Sequence, residues 1–313
     1  HKGLRKRSAD PRFRWQDRAA DLAESMREPA SQHGAFIVNM ASTGCGKTLA
    51  NARIMNALTD PSHGLRCAFA LGLRTLTLQT GRSFRNELQL SDDAVAIRVG
   101  GAANRELFEH YEQLAEQSGS ASTQALLAED AGVVFEGNIA HPLLQRLSHD
   151  PKIHKLLAAP LLVCTIDHLV PATESQRGGS QIAPMLRLMS GDLVLDEPDD
   201  FDIDDLPALA RLVHWAGLLG SRVLLSSATL APALVQGLFE AYLDGRRKFQ
   251  RNRGERSGTA PEVCCMWVDE FDQSRHDCGD GDTFTSHQLD FARLRHARLA
   301  KEAVRRRAEL IAL

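Results

Sequence analysis

Apolar residues fall into short runs separated by longer stretches in which they recur at helical spacing. The runs Ala35–Met40, Cys67–Leu71, Ala94–Val99, Leu161–Thr165, Leu193–Asp196 and Val223–Ser227 have the length of buried strands. Between them, Thr48–Leu58, Thr75–Leu88, Pro207–Leu219 and Ala233–Leu243 read as helices, and Pro207 suits a first helical position because no N–H partner is lost there. Strand and helix in alternation predict an α/β fold with a mostly parallel sheet. The stretch Asn104–Ala159 carries helix-like pieces, the weak apolar segment Val133–Phe135 and no chemical motif, so it reads as a helical insertion on the sheet's rim.

The composition changes after Ala241. Arg246, Arg247, Lys248, Arg251, Arg253 and Arg256 lie in Gly- and Ser-containing sequence, the signature of a flexible basic linker. The apolar run Val263–Val268, the turn-rich Asp277–Asp282 and a basic helix ending in Arg305–Arg307 follow. The expected organisation is one domain over 1–245, with an insertion at about 104–159, and over 246–313 a linker that begins the connection to a second lobe.

A hydrophobic share of 43% and a charged share of 25% suffice for a sizeable core and exclude wholesale disorder. Lys plus Arg number 37 against 40 Asp plus Glu, so bulk charge points to no polyanion and any nucleic-acid surface is local. The six cysteines form no CxxC pair and Cys45 sits in a Gly-rich loop, which fits a reducing cytoplasm. The basic stretch His1–Arg18 reaches no apolar run, so it is not a signal peptide as written, and no segment approaches the ~20 apolar residues of a membrane span. The chain starts without Met and stops in an apolar helical run, and so reads as a fragment.

Candidate chemistry begins at Ala41-Ser42-Thr43-Gly44-Cys45-Gly46-Lys47-Thr48, directly after an apolar strand and at the start of a helical pattern. Glycines there let successive N–H groups point at phosphate oxygens, and the helix N-terminus adds its positive end. Lys47 would reach the outer phosphates and Thr48 would place its hydroxyl on Mg²⁺, although Ala41 stands where the common pattern has Gly. A second apolar strand ends in Asp196-Glu197-Pro198-Asp199, where the first carboxylate can hold Mg²⁺ and the next can orient an attacking water. Loop and carboxylate strand together make the halves of an ATPase site.

With these motifs the chain resembles a superfamily 2 helicase, whose fold is a RecA-like lobe. The resemblance assigns Ala41–Thr48 to motif I, Asp196–Asp199 to motif II and Ser227-Ala228-Thr229 to the coupling motif III. It places Gln16, in Phe13-Arg14-Trp15-Gln16, at the adenine. Arg74 and Gln79 resemble motif Ia, with Gly72 where a proline is common, and Gly101 and Thr165 resemble further strand-contacting motifs. Hydroxyl, amide and backbone N–H groups of this kind suit backbone tracking of single-stranded DNA. With 12 Phe, 3 Trp and 2 Tyr, base stacking contributes little.

Phe13–Asp17, Ala41–Asn51, Cys164–Leu169, Phe201–Leu209 and Leu212–Leu218 together resemble the first lobe of the type I-F CRISPR-associated helicase-nuclease. That resemblance implies an ATP- and Mg²⁺-dependent DNA helicase or translocase of antiviral defence, hydrolysing ATP with help from arginines of a second lobe. Its partners would be single-stranded DNA, a CRISPR surveillance complex and phage inhibitor proteins, with no membrane. A restriction-type motor, a nucleotide kinase and a non-catalytic docking lobe are the competing readings, and a kinase would need neither Ser227–Thr229 nor a strand-contacting series. The doublets His149-Asp150 and His276-Asp277 read as surface loop pairs, and the spacing of His276 and Cys278 to Cys264-Cys265 fits no standard zinc pattern.

Overall fold

The computed structural model describes residues 2–72, 74–88, 94–99, 134–136, 157–173, 181–201, 203–252 and 262–302. Among the described residues nine strands form a single sheet: β1 (Ala35–Asn39), β2 (Cys67–Leu71), β3 (Val95–Val99), β4 (Val134–Glu136), β5 (Leu161–Thr165), β6 (Asp192–Asp196), β7 (Val223–Ser226), β8 (Val263–Val268) and β9 (Gln273–Cys278). Their order is β4-β3-β5-β2-β6-β7-β1-β8-β9, parallel except for β4 and β9 at the two edges. Strand β7 therefore lies between the strand that feeds the Gly-rich loop and the strand that ends in carboxylates, as in a RecA-like lobe.

Every residue of β1, β2, β5, β6, β7 and β8 is buried, which is why these strands read as continuous apolar runs rather than alternating ones. Alternate side chains go to opposite layers. Ile37, Phe69, Val194 and Met266 meet α1 (Arg14–Ser25), α2 (Arg27–His33), α3 (Lys47–Leu58) and α4 (Arg74–Leu88) through Ala19, Ala30, Ile54 and Phe84. On the other face, Phe36, Leu193, Leu225 and Trp267 meet α5 (Ile182–Met189), α6 (Leu206–Leu219), α7 (Pro232–Asn252) and α8 (Gly281–Leu299) through Leu188, Leu212, Phe239 and Phe284. Burying a side chain of this size stabilises the fold by roughly 1.5–3 kcal/mol.

The six expected strands and four expected helices are present, with ends shifted by a residue or so except in α7. Two expectations about the C-terminal part are corrected. Arg246–Asn252 is not a flexible linker but the last turns of α7, and Arg246 is buried with its guanidinium donating to the Gln32 carbonyl at 2.9 Å. Val263–Val268 does not begin an exit from the domain: β8 pairs in parallel with β1 from Ala35↔Cys264 to Asn39↔Val268, so the boundary at 245 cuts through one sheet. A basic stretch can look like a linker when its charges are spent on backbone carbonyls and helix packing. The doublet His276-Asp277 lies on edge strand β9 rather than in a loop, while His149-Asp150 falls outside the described residues. Of the expected insertion, Val134–Glu136 is an edge strand antiparallel to β3, and most of the remainder lies outside the described residues.

Candidate nucleotide site

The site forms where β1, β6 and β7 end on the same edge of the sheet. After β1 the chain turns through Ser42–Gly46 into α3, with Cys45 N–H donating to the Ser42 carbonyl at 3.1 Å. Gly44 and Gly46 adopt φ of 83° and 78°, the left-handed region that a side chain disfavours. At Gly46 a Cβ would also stand 2.7 Å from the Gln16 amide nitrogen, so only glycine fits. Asn39, fully buried at the end of β1, fixes the root of the loop. Its carbonyl accepts from Ser227 N–H at 3.1 Å, its Oδ1 from Ala41 N–H at 3.1 Å, and its Nδ2 donates to Asn51 Oδ1 at 2.7 Å.

Lys47, the first residue of α3 and almost completely buried, places Nζ 2.9 Å from Glu197 Oε1. Glu197 follows β6 with φ 52° and ψ 57°, the one non-glycine residue with positive φ among those described. Its N–H donates to the Ser226 carbonyl at 2.7 Å, so the neighbouring strand holds a backbone conformation that costs of order 1 kcal/mol or more. Asp196 is buried, and its Oδ1 makes no regular hydrogen bond. Burial chiefly, with Glu197 adding to it, pushes its carboxyl up to about 6, while the Ser226 hydroxyl and Lys47 act in the opposite sense. Lys47, Thr48, Asp196 and Glu197 line a cavity of about 270 Å³.

The structure thus brings together the residues expected to meet phosphates and a divalent cation. The segment expected to act in coupling joins them: Ser227 and Thr229 hydroxyls lie 3.3 Å apart, Thr229 N–H donates to Ser227 Oγ at 3.2 Å, and the Thr229 hydroxyl donates to Asp199. Ala228 is the half-buried residue between them. Gln16 is buried in α1 against the same loop, its Nε2 donating to Gly46 O at 3.1 Å and its Oε1 accepting from Arg53 at 3.3 Å. Trp15 adds an indole N–H bond to Cys45 O at 3.2 Å, and Arg53 is held in turn by Asp17 at 2.7 Å.

The residues expected to meet a nucleic acid are less collected. Gln79 on α4 lines the cavity shared by Lys47 and Glu197, which puts it beside the groups expected to meet phosphates. Thr165 ends β5 with its hydroxyl buried and unpartnered, so its side chain does not face outward. Arg74 opens α4, and Gly101 lies outside the described residues. A larger cavity of about 740 Å³ lies at the opposite edge of the sheet between Arg27, Asp192 and Arg222, where Asp192 already engages Arg222 at 2.6 Å.

Several residues that build the site escaped sequence reading. Asn39, Asn51 and Arg53 act by long-range hydrogen bonds that no local pattern announces. Glu270 is the clearest case, because from beyond the expected domain boundary it accepts both the N–H and the hydroxyl of Ser42, at 3.0 and 2.5 Å.

No protein-family model matches the chain. It is 58% identical over 311 residues to the CRISPR-associated nuclease/helicase Cas3 subtype I-F/YPEST of Pseudomonas aeruginosa (strain UCBPP-PA14), covering 99% of this chain and 29% of that protein. It is 54% identical over 309 residues to the protein of the same description from Pectobacterium atrosepticum, covering 96% and 28%. Among solved structures, T. fusca Cas3 with ATP superposes with a TM-score of 0.49 at 20% identity, covering 76% of this chain and 23% of that one. The DEAD-box helicase Mss116 bound to ssRNA and UDP-BeF gives 0.44 at 16%, covering 84% and 44%. The chain spans 29% and 28% of the lengths of the two curated relatives. Nearly the whole of its own length is therefore similar to a segment of these two type I-F CRISPR-associated nuclease/helicases, a segment that makes up less than a third of each.

Proposed function

We propose that the chain is the ATP-binding first motor lobe of an ATP-dependent helicase or translocase that moves on single-stranded DNA in CRISPR antiviral defence. The observation that carries this reading is the Lys47–Glu197 pair at 2.9 Å beside the buried Asp196, at the mouth of a loop whose glycines take positive φ. Such a loop presents N–H groups to phosphates. Lys47 would leave Glu197 for the outer phosphates, freeing the carboxylate to orient a water.

A divalent cation suits the residues present, since Asp196 Oδ1 is buried without a regular hydrogen bond and Thr48 lines the same cavity. Thr48 and Asp196 would hold Mg²⁺, which neutralises phosphate charge when bound. Gln16 would read adenine only by exchanging one of its two present partners, so it both supports the loop and reports its occupant. The Ser227–Thr229 segment, tied to Asp199, would pass nucleotide state on to lobe closure. Arg74, Gln79, Gly101 and Thr165 remain the proposed DNA set, with Thr165 acting through its backbone because its hydroxyl is buried.

The relatives' names support a CRISPR role, from which a surveillance complex and phage inhibitors follow as proposed partners. Among the described residues no helix is long and apolar enough to cross a membrane, and the six cysteines are free thiols, in keeping with a proposed cytoplasmic setting. Titration calorimetry with Mg²⁺·ATP tests the reading. Lys47→Ala is expected to lose at least tenfold in affinity while the far-UV spectrum is kept, because one charge-assisted phosphate contact is worth about 1.5–3 kcal/mol. Unchanged affinity would overturn the site.

A further inference from the structure

Helix α8 touches the root of the phosphate loop from the far side of β8. Three of its side chains, Gln288, Phe291 and Arg295, share one face and are buried. Gln288 accepts from the fully buried Trp267 indole at 2.5 Å, and its Nε2 lies 3.6 Å from Met40 Sδ, one residue before the loop. Two turns on, Arg295 donates to Ser42 Oγ at 2.9 Å and to Glu270 Oε2 at 2.8 Å, with Asp269 Oδ2 at 3.1 Å.

Glu270 completes the ring by accepting both the N–H and the hydroxyl of Ser42. The turn that presents it is itself fixed, because Asp269 Oδ1 accepts the N–H groups of Phe271 and Asp272, each at 2.7 Å. Two carboxylates face the Arg295 guanidinium, so the cluster carries net negative charge and Arg295 is no phosphate ligand. Its function is mechanical: it fixes the second residue of the loop relative to a helix beyond β9.

Resting on the nucleotide-site reading above, we propose that Glu270 and Arg295 are positioning residues of the phosphate loop, holding Ser42 so that the following N–H groups are preorganised for a nucleotide triphosphate. Preorganisation contributes affinity by removing an ordering cost from the binding step. A loop released at Ser42 must be ordered by the nucleotide itself. A charge-assisted hydrogen bond to a carboxylate is worth about one power of ten in an equilibrium constant.

Mg²⁺·ATP titration of the chain is compared among Ser42→Ala, Glu270→Gln, Arg295→Ala, the double variant Ser42→Ala/Glu270→Gln, and Lys47→Ala, with a urea unfolding curve for each. Glu270→Gln and Ser42→Ala are expected to weaken ATP binding about tenfold each, and the double variant to lose clearly less than the two losses combined, since both remove the contact between the Ser42 hydroxyl and the Glu270 carboxylate. Arg295→Lys keeps the charge and is expected to recover part of the affinity lost in Arg295→Ala. A purely structural role would lower the urea midpoints and leave ATP affinity of the folded fraction unchanged. ATP affinities within twofold of the unaltered chain in Glu270→Gln and Ser42→Ala, or losses that add in the double variant, overturn the proposal while Lys47→Ala still loses at least tenfold in affinity. Should Lys47→Ala also bind normally, the nucleotide-site reading falls and the proposal with it. Ser42→Ala removes a single oxygen from a half-exposed loop and remains decisive if Arg295→Ala does not fold.

Discussion

The buried carboxylate at the end of β6 works against the stability of the lobe, and the size of that effect follows from the structure. Burial pushes Asp196 from an ordinary 3.8 up to about 6. Each pKa unit is worth about 1.4 kcal/mol, so ionised Asp196 costs the fold about 3 kcal/mol in the absence of a cation. The sign is set by proton binding. Between 3.8 and about 6 the folded chain holds a proton that the unfolded chain has released, so stability falls as pH rises through that window. The penalty is absent below pH 3.8 and complete above about 6. Asp196→Asn has no charge to bury, so it should be about as stable as the unaltered chain near pH 4 and up to about 3 kcal/mol more stable at pH 7.5. Urea unfolding followed by circular dichroism, in chelator from pH 4 to 8, measures the difference directly. A domain of ordinary stability, ~5–15 kcal/mol, makes a change of that size plain. A difference that stays flat across the window, or an Asn variant less stable at pH 7.5, would refute the argument. The same variant should bind Mg²⁺·ATP poorly, a trade of function for stability that a cation site in a buried pocket implies.

Other consequences are open to test. Glu197→Gln removes the carboxylate that holds Lys47 at 2.9 Å, so this chain should bind ATP at least as tightly by calorimetry, while a chain long enough to hydrolyse ATP should stop turning it over; a tenfold loss of binding would mean that Glu197 orders the loop rather than competing with phosphate. Cys45 is half-buried and the other five cysteines are buried, with burial pushing Cys164 up to about 12, so a maleimide at neutral pH should add once to the folded chain and more slowly with ATP present; intact-mass analysis showing several rapid adducts would contradict this. Gly217→Val should lower the thermal midpoint, because a Cβ at Gly217 would stand 2.5 Å from the Tyr242 carbonyl where α6 crosses α7, and overpacking of that kind costs about 1–3 kcal/mol. An unchanged melting curve would show that the two helices separate easily.

Much of the sheet was legible because parallel strands buried on both faces must be apolar throughout. Cys67–Leu71 and Leu161–Thr165 were placed to the residue for that reason. Strand β8 is equally apolar, yet its membership of the sheet was hidden. Nothing in Val263–Val268 states that its partner is β1, more than two hundred residues earlier, and the basic sequence before it suggested departure from the domain. Arg246 misled for a related reason: a cation reads as solvent-exposed unless a buried acceptor is known, and here the acceptor is the Gln32 carbonyl.

The candidate site divides along the same line. Gly44, Gly46, Lys47, Asp196 and Glu197 could be read because backbone geometry and charge force those residue types into contiguous motifs. The groups that hold the motifs in place obey no such constraint. Asn39 could serve as a strand residue anywhere, and its value comes from meeting Asn51 and Ala41 in space. Glu270 and Arg295 stand farther off still, and become visible only once β8 brings the β8–β9 turn beside Ser42. Charged and phosphate-facing atoms therefore declare themselves locally, whereas preorganisation is a property of tertiary structure. It follows that substitutions outside the motifs, at Asn39, Glu270 and Arg295, should alter ATP affinity while leaving every recognisable motif of the sequence intact.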